Sequence, residues 1–162
     1  MNFMKSDHQI RVEDFMAKIE RELPQTPTIP SASLRLLRAK LIMEEAFEEI
    51  RALGINIGVS SNGYSPKNDD IQYCDLEFFA DGVFDMVEMV DGCCDLKVVT
   101  TGTLSACGVN DLKMQKIVDL NNLKKFGPGH YINEAGKLIK PPNFVGPQIE
   151  ILEELRKQGF KG

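Results

Sequence analysis

Only two histidines, His8 and His130, occur in the 162 residues. That shortage removes most zinc, non-haem iron and histidine-base chemistry. A basic excess is missing too: 19 Lys and Arg stand against 24 Asp and Glu, a net charge of −5. With a pI near 5.1 the chain lacks the basic face of a general nucleic-acid or membrane-surface binder. A small phosphorylated ligand held by a few local cations stays open. No apolar run reaches the roughly 18 residues needed to span a bilayer. Residues 1–11 carry no apolar signal core, so the expected location is the cytoplasm. The four cysteines, Cys74, Cys93, Cys94 and Cys107, have no zinc-finger spacing and are expected to be small, reduced core residues. There is no internal repeat and no low-complexity tract.

What is present is helical. Apolar residues make up 43% of the chain, enough for a core in one domain. Residues 1–11 read as a loose N-terminus. Residues 12–23 read as a helix with Phe15, Ile19 and Leu23 on one face. Pro24, Pro27 and Pro30 make a stiff connector. Ser31 or Ser33 can cap a second helix that runs to about Leu53, where Gly54 stops it. Residues 54–75 read as a long loop with a short strand or turn, of a length often used as a lid. A third helix is expected over 75–108, carrying Gly82, Gly92 and Gly102, each a cost of about 1 kcal/mol against Ala. Three such glycines imply close helix contact or a break. A fourth helix spans about 111–124. Tyr131-Ile132 and Leu138-Ile139 flank a turn and read as a small hairpin, and 147–158 as a final helix. The expected class is all-α: a four- to five-helix bundle with a long inter-helix loop and a small C-terminal hairpin. It forms a single domain over 1–162, whose extension 126–162 is a candidate to cross to another subunit.

Residues 68–96 contain no Lys or Arg but nine acids. Glu88, Asp91 and Asp95 fall at i, i+3 and i+7, one helix face, and Asp81 and Asp85 extend it upstream. Phe84, Val87, Val90 and Cys94 lie beside the stripe, which places it at the edge of the core. Buried carboxylates without partners are expensive, so a cation or a protonation shift must offset them. On the second helix Glu44, Glu45, Glu48 and Glu49 cluster, and Glu45 and Glu48 can reach one ion. Taken alone, such a run is commonly a solvated face. Packed together, Glu45-x-x-Glu48 and Glu88-x-x-Asp91 would form an all-oxygen cage suited to Mg²⁺, with Mn²⁺ as a substitute. Downstream, Asn122, Lys125, Lys137 and Lys140 are either phosphate-binding groups or an ordinary basic tail.

The runs LRLLRAKLIMEEAFEEI, EMVDGCCDLKVVTTGTLSACGVND, NNLKKFG and GKLIKPPNF resemble the all-α nucleoside triphosphate pyrophosphohydrolases. This superfamily includes MazG, dimeric dUTPases and phosphoribosyl-ATP pyrophosphohydrolase. The likeness covers roughly residues 12–148. It implies a helix bundle with Glu45, Glu48, Glu88 and Asp91 as Mg²⁺ ligands. Glu44 and Asp95 would be further ligands or would orient water. Asn122, Lys125, Lys137 and Lys140 would contact the nucleotide, across a subunit boundary in a homodimer or dimer of dimers. The connection from Glu48 to Glu88 is longer than the family's usual one. The implied reaction is water attack at the α-phosphorus of a (d)NTP, giving a monophosphate and pyrophosphate. Two rivals share the residues: the phosphoribosyl-ATP reaction of histidine synthesis, and a non-catalytic nucleotide-binding helical module. Base recognition would fall to loop groups such as Ser60, Ser61 and Asn62.

Overall fold

The computed structural model describes residues 4–19, 22–59 and 76–162. The expected all-α class holds: five α-helices dominate, and the only strands described form two short two-stranded ribbons. Among the described residues no helix is long and apolar enough to cross a membrane. The chain divides into two compact units, residues 32–100 and residues 1–31 with 101–162.

The terminal unit begins with α1 (Asp7–Lys18). The helix starts five residues before the expected position and ends sooner. Its buried face is Gln9, Val12 and Met16, whereas Phe15 and Ile19 are exposed. The cause is local. Ser6 caps the helix, its Oγ accepting from the Gln9 N–H at 3.0 Å and donating to Asp111 Oδ2 at 2.5 Å. Gln9 is fully buried yet satisfied: its Nε2 donates to Ser105 Oγ and the Val109 carbonyl, and its Oε1 accepts from the Asp111 N–H. Ser105 in turn donates to Glu13 Oε1 at 3.0 Å, and Lys5 pairs with the same carboxylate. The small residues around Ser105 therefore serve packing against α1 inside the chain. Self-pairing with a second copy was the rival role for that stretch. Next come α4 (Asp111–Leu123), a 3₁₀ turn (Lys124–Phe126), the ribbon of β3 (Tyr131–Ile132) and β4 (Leu138–Ile139), and α5 (Gln148–Lys157). In the ribbon Tyr131 pairs with Ile139 and Ile132 with Leu138, and Gly136 takes the left-handed turn position at φ 75°.

The second unit holds α2 (Ala32–Ala52), β1 (Asn56–Val59), β2 (Leu76–Phe79) and the first three-quarters of α3 (Met86–Ala106). Gly54 ends α2 at φ 74°, as expected. The third helix, expected from residue 75, starts eleven residues later. Leu76–Phe79 pairs antiparallel with β1 instead, Val59 opposite Leu76 and Asn56 opposite Phe79. Asp81 lies outside the helix and accepts from Asn56 Nδ2 at 2.7 Å. Asp85 acts as the cap, its Oδ1 accepting from the N–H groups of Val87 and Glu88. Neither aspartate extends the acid stripe. The loop residues 60–75, with Cys74 and the suggested base-recognition groups Ser60, Ser61 and Asn62, lie outside the described residues.

This unit has almost no interior. Its buried described residues are Arg38, Ala52, Gly54, Gly92 and Val99. Phe84, Val87 and Val90, expected at a core edge, are exposed by 49%, 75% and 51%. Cys93 and Cys94 are exposed rather than core residues, and Cys107 is half-buried. A helix pair with one ribbon offers no second layer to bury that face, so the chain leaves it uncovered.

Candidate active site

Within the second unit α2 and α3 run antiparallel, and a ladder of contacts fixes their register. At one end the Gly82 N–H donates to the Gly54 carbonyl at 3.0 Å, and the Asp85 N–H to the Ala52 carbonyl at 2.9 Å. One turn along, Cys93 Sγ meets Glu49 Oε1 at 3.2 Å, and Gly92 lies against Glu49. At the far end the Arg38 guanidinium donates to the Val99 carbonyl. The acids Glu44, Glu45 and Glu48 on α2 and Asp91 and Asp95 on α3 fall between these anchors.

The electrostatics show that the rows face each other. The half-buried Glu45 carboxyl is held above its ordinary range, first by burial, then by the charges of Asp95, Glu48, Glu44 and Asp91. Two of those four charges come from the other helix. Glu88 is not among them; it sits in the first turn of α3, its N–H on Asp85 Oδ1 at 3.2 Å. Glu44, Glu48, Glu88, Asp91 and Asp95 are exposed, which corrects the expectation of a stripe sunk into the core. Among the described residues no three His, Cys, Asp or Glu groups already stand as a closed metal-ligand set. The donor set is all oxygen, and the Glu45 proton affinity marks a place where negative charge is crowded. A hard divalent cation fits that chemistry.

Two residues escaped the sequence reading. Glu49 has a buried Oε2 with no hydrogen-bond partner, and its Oε1 receives the Cys93 thiol. That hydrogen bond, more than burial or charge, pushes the thiol pKa up. Glu49 was visible as part of an acid run, but the helix period alone does not say which acid meets the partner helix. Gly92 counted only as a helix-weakening residue.

In the terminal unit the basic candidates are arranged around Phe144. Lys125 Nζ lies 5.9 Å and Lys140 Nζ 5.3 Å from the ring centroid. Lys137 is exposed on the ribbon, and its N–H donates to Asn133 Oδ1. Asn122 is exposed on α4. Its neighbour Asn121 is the buried one, and Nδ2 of Asn121 donates to the Val145 carbonyl at 3.0 Å.

An antiparallel helix pair with opposed carboxylate rows defines the class of all-α pyrophosphohydrolases of the MazG-like superfamily. The sequence profile of the phosphoribosyl-ATP pyrophosphohydrolase family matches residues 12–122, about two-thirds of the chain, and the chain belongs to that family. It is accordingly a hydrolase acting on a pyrophosphate bond. No curated protein matches it. The matched range contains both acid rows and Asn122, and ends before Lys125, Lys137 and Lys140.

Proposed function

We propose that the chain hydrolyses nucleoside triphosphates to monophosphate and pyrophosphate with Mg²⁺ at the α2–α3 acid rows. The observation that carries this is the field on Glu45, to which Asp91 and Asp95 of the opposite helix contribute. A triphosphate carries about four negative charges and would be repelled by these rows alone. Bound there, a divalent ion would invert the field, polarise the phosphate and acidify a water.

The chain's own groups would do the rest. Glu45, Glu48, Glu88 and Asp91 would hold Mg²⁺ or Mn²⁺. Glu88 would need only a side-chain rotation from its exposed position. Asp95 would orient water, and Glu44 would take its proton as general base. Asn122, Lys125, Lys137 and Lys140 would bind the nucleotide and neutralise the outer phosphates. We place a second copy of the chain on the exposed face of Phe84, Val87 and Val90, making a homodimer or a dimer of dimers in the cytoplasm.

A second reading is favoured by the family match itself: the substrate is phosphoribosyl-ATP, cleaved by the same groups. Rates on each (d)NTP and on phosphoribosyl-ATP, measured side by side with Mg²⁺, separate the two. We expect the higher kcat/KM on a (d)NTP. A preference for phosphoribosyl-ATP by tenfold or more overturns that choice of substrate. Tight nucleotide binding without any turnover would leave only a binding module.

A further inference from the structure

The closest approach of α2 to α3 is at Gly92. A Cβ built there would lie 2.7 Å from Glu49 Oε2, 3.1 Å from Glu49 Cα and 3.3 Å from Glu49 Cβ. The carboxylate end could swing aside, but the Cα is backbone and cannot. Any side chain at 92 therefore pushes the two helices apart by a few tenths of an ångström. Gly92 is itself buried, adjoins Asp91, and is three residues from Asp95. Glu49 is one turn from Glu45. The contact thus sits at the level of the acid rows, between the backbone bonds at Ala52 and the Arg38 anchor. A residue that costs about 1 kcal/mol of helix propensity in mid-helix needs such a reason.

We propose that Gly92 is a positioning residue: the missing side chain lets Glu49 seat against its Cα, and that seating sets the distance at which Glu45 faces Asp91 and Asp95. The inference rests on the acid rows being the metal site. Metal ligation tolerates about ±0.2 Å, so a displacement of a few tenths of an ångström matters. A lost glycine would then be felt as weaker metal binding rather than as a lost chemical group. The Cys93 thiol on Glu49 Oε1 holds the same carboxylate from the next position, so α3 grips Glu49 twice.

The test uses Mn²⁺ as probe, counted by electron paramagnetic resonance on the whole chain without nucleotide, followed by pyrophosphate release against Mn²⁺ concentration. Gly92→Ala is expected to weaken Mn²⁺ binding about 10-fold, as outer-shell changes do, with kcat at saturating Mn²⁺ within about 2-fold of the parent. A structural fault alone would lower stability and leave the Mn²⁺ affinity of the folded fraction unchanged. Comparing Glu49→Gly with Gly92→Ala/Glu49→Gly guards against a variant that does not fold. With no side chain at 49, the added methyl is expected to cost less than about 3-fold in affinity, a coupling that a double-mutant cycle reads directly. Equal Mn²⁺ affinity in Gly92→Ala and parent, or an equal loss in both backgrounds, overturns the proposal. If the parent binds no Mn²⁺, or Glu48→Ala binds it as well as the parent, the metal-site reading itself fails.

Discussion

The two units use the same polar residue types to opposite ends. In the terminal unit every buried polar group of the α1 interface has a partner. Gln9 makes three hydrogen bonds, Asp111 accepts two from Ser6, and Glu13 is shared by Ser105 and Lys5. Both ion pairs found among the described residues lie there. In the α2–α3 unit the carboxylates face other carboxylates, and Glu49 Oε2 is buried without a partner. A satisfied network specifies architecture, and an unsatisfied one of a single sign is a demand for a ligand. Stability should therefore reside in the first unit and activity in the second, and the two should separate under mutation.

The sharpest break is expected in activity. Glu45→Ala and Glu48→Ala should each lower pyrophosphate release by about 10²–10³-fold, because each removes charge that would hold the ion. Their melting temperatures should not fall. A loss of activity explained by unfolding would erase the distinction between the units.

The converse change comes next. Gln9→Ala strips three partners in a buried site and should destabilise by about 2–3 kcal/mol. For a chain of this size that lowers the melting temperature by roughly 5–10 °C, read by calorimetry. Folded Gln9→Ala protein should keep the metal dependence of the parent.

A smaller effect follows from the Glu45 proton. Its pKa is raised in the folded state, so the fold binds more protons than the unfolded chain between the ordinary carboxylate value and the raised one. This term alone makes stability fall as pH rises through that window. Glu45→Gln should therefore raise the melting temperature at pH 7 without divalent ions by roughly 1–3 °C, like-charge contacts being worth a few tenths of a kcal/mol each. The gain should vanish near pH 4 and reverse when Mg²⁺ stabilises only the parent.

The two units also differ in how far the chain alone reveals them. Helices α2, α4 and α5 and the β3–β4 ribbon follow from propensity, Gly54 and the turn 133–136. Two helix starts were misplaced although their signals were present. Ser6-x-x-Gln9 and Asp85-x-x-Glu88 are both capping-box patterns, and each marks where a helix begins. Leu76–Phe79 is a short apolar run that periodicity cannot assign, and its strand identity comes from pairing with β1. The acid rows were legible as charge, and Glu45, Glu48 and Asp91 belong to them. Their exposure was not legible, because spacing within a helix says nothing about whether a second layer covers it. Gly92 and Glu49 became visible only where two helices cross.

Hydrolysis in ¹⁸O-labelled water tests the central claim most directly. With Mg²⁺ and the preferred triphosphate the account predicts one ¹⁸O in the nucleoside monophosphate, none in the pyrophosphate, and loss of both products in Glu48→Ala. Label in orthophosphate or pyrophosphate, or full turnover in Glu48→Ala, would contradict it.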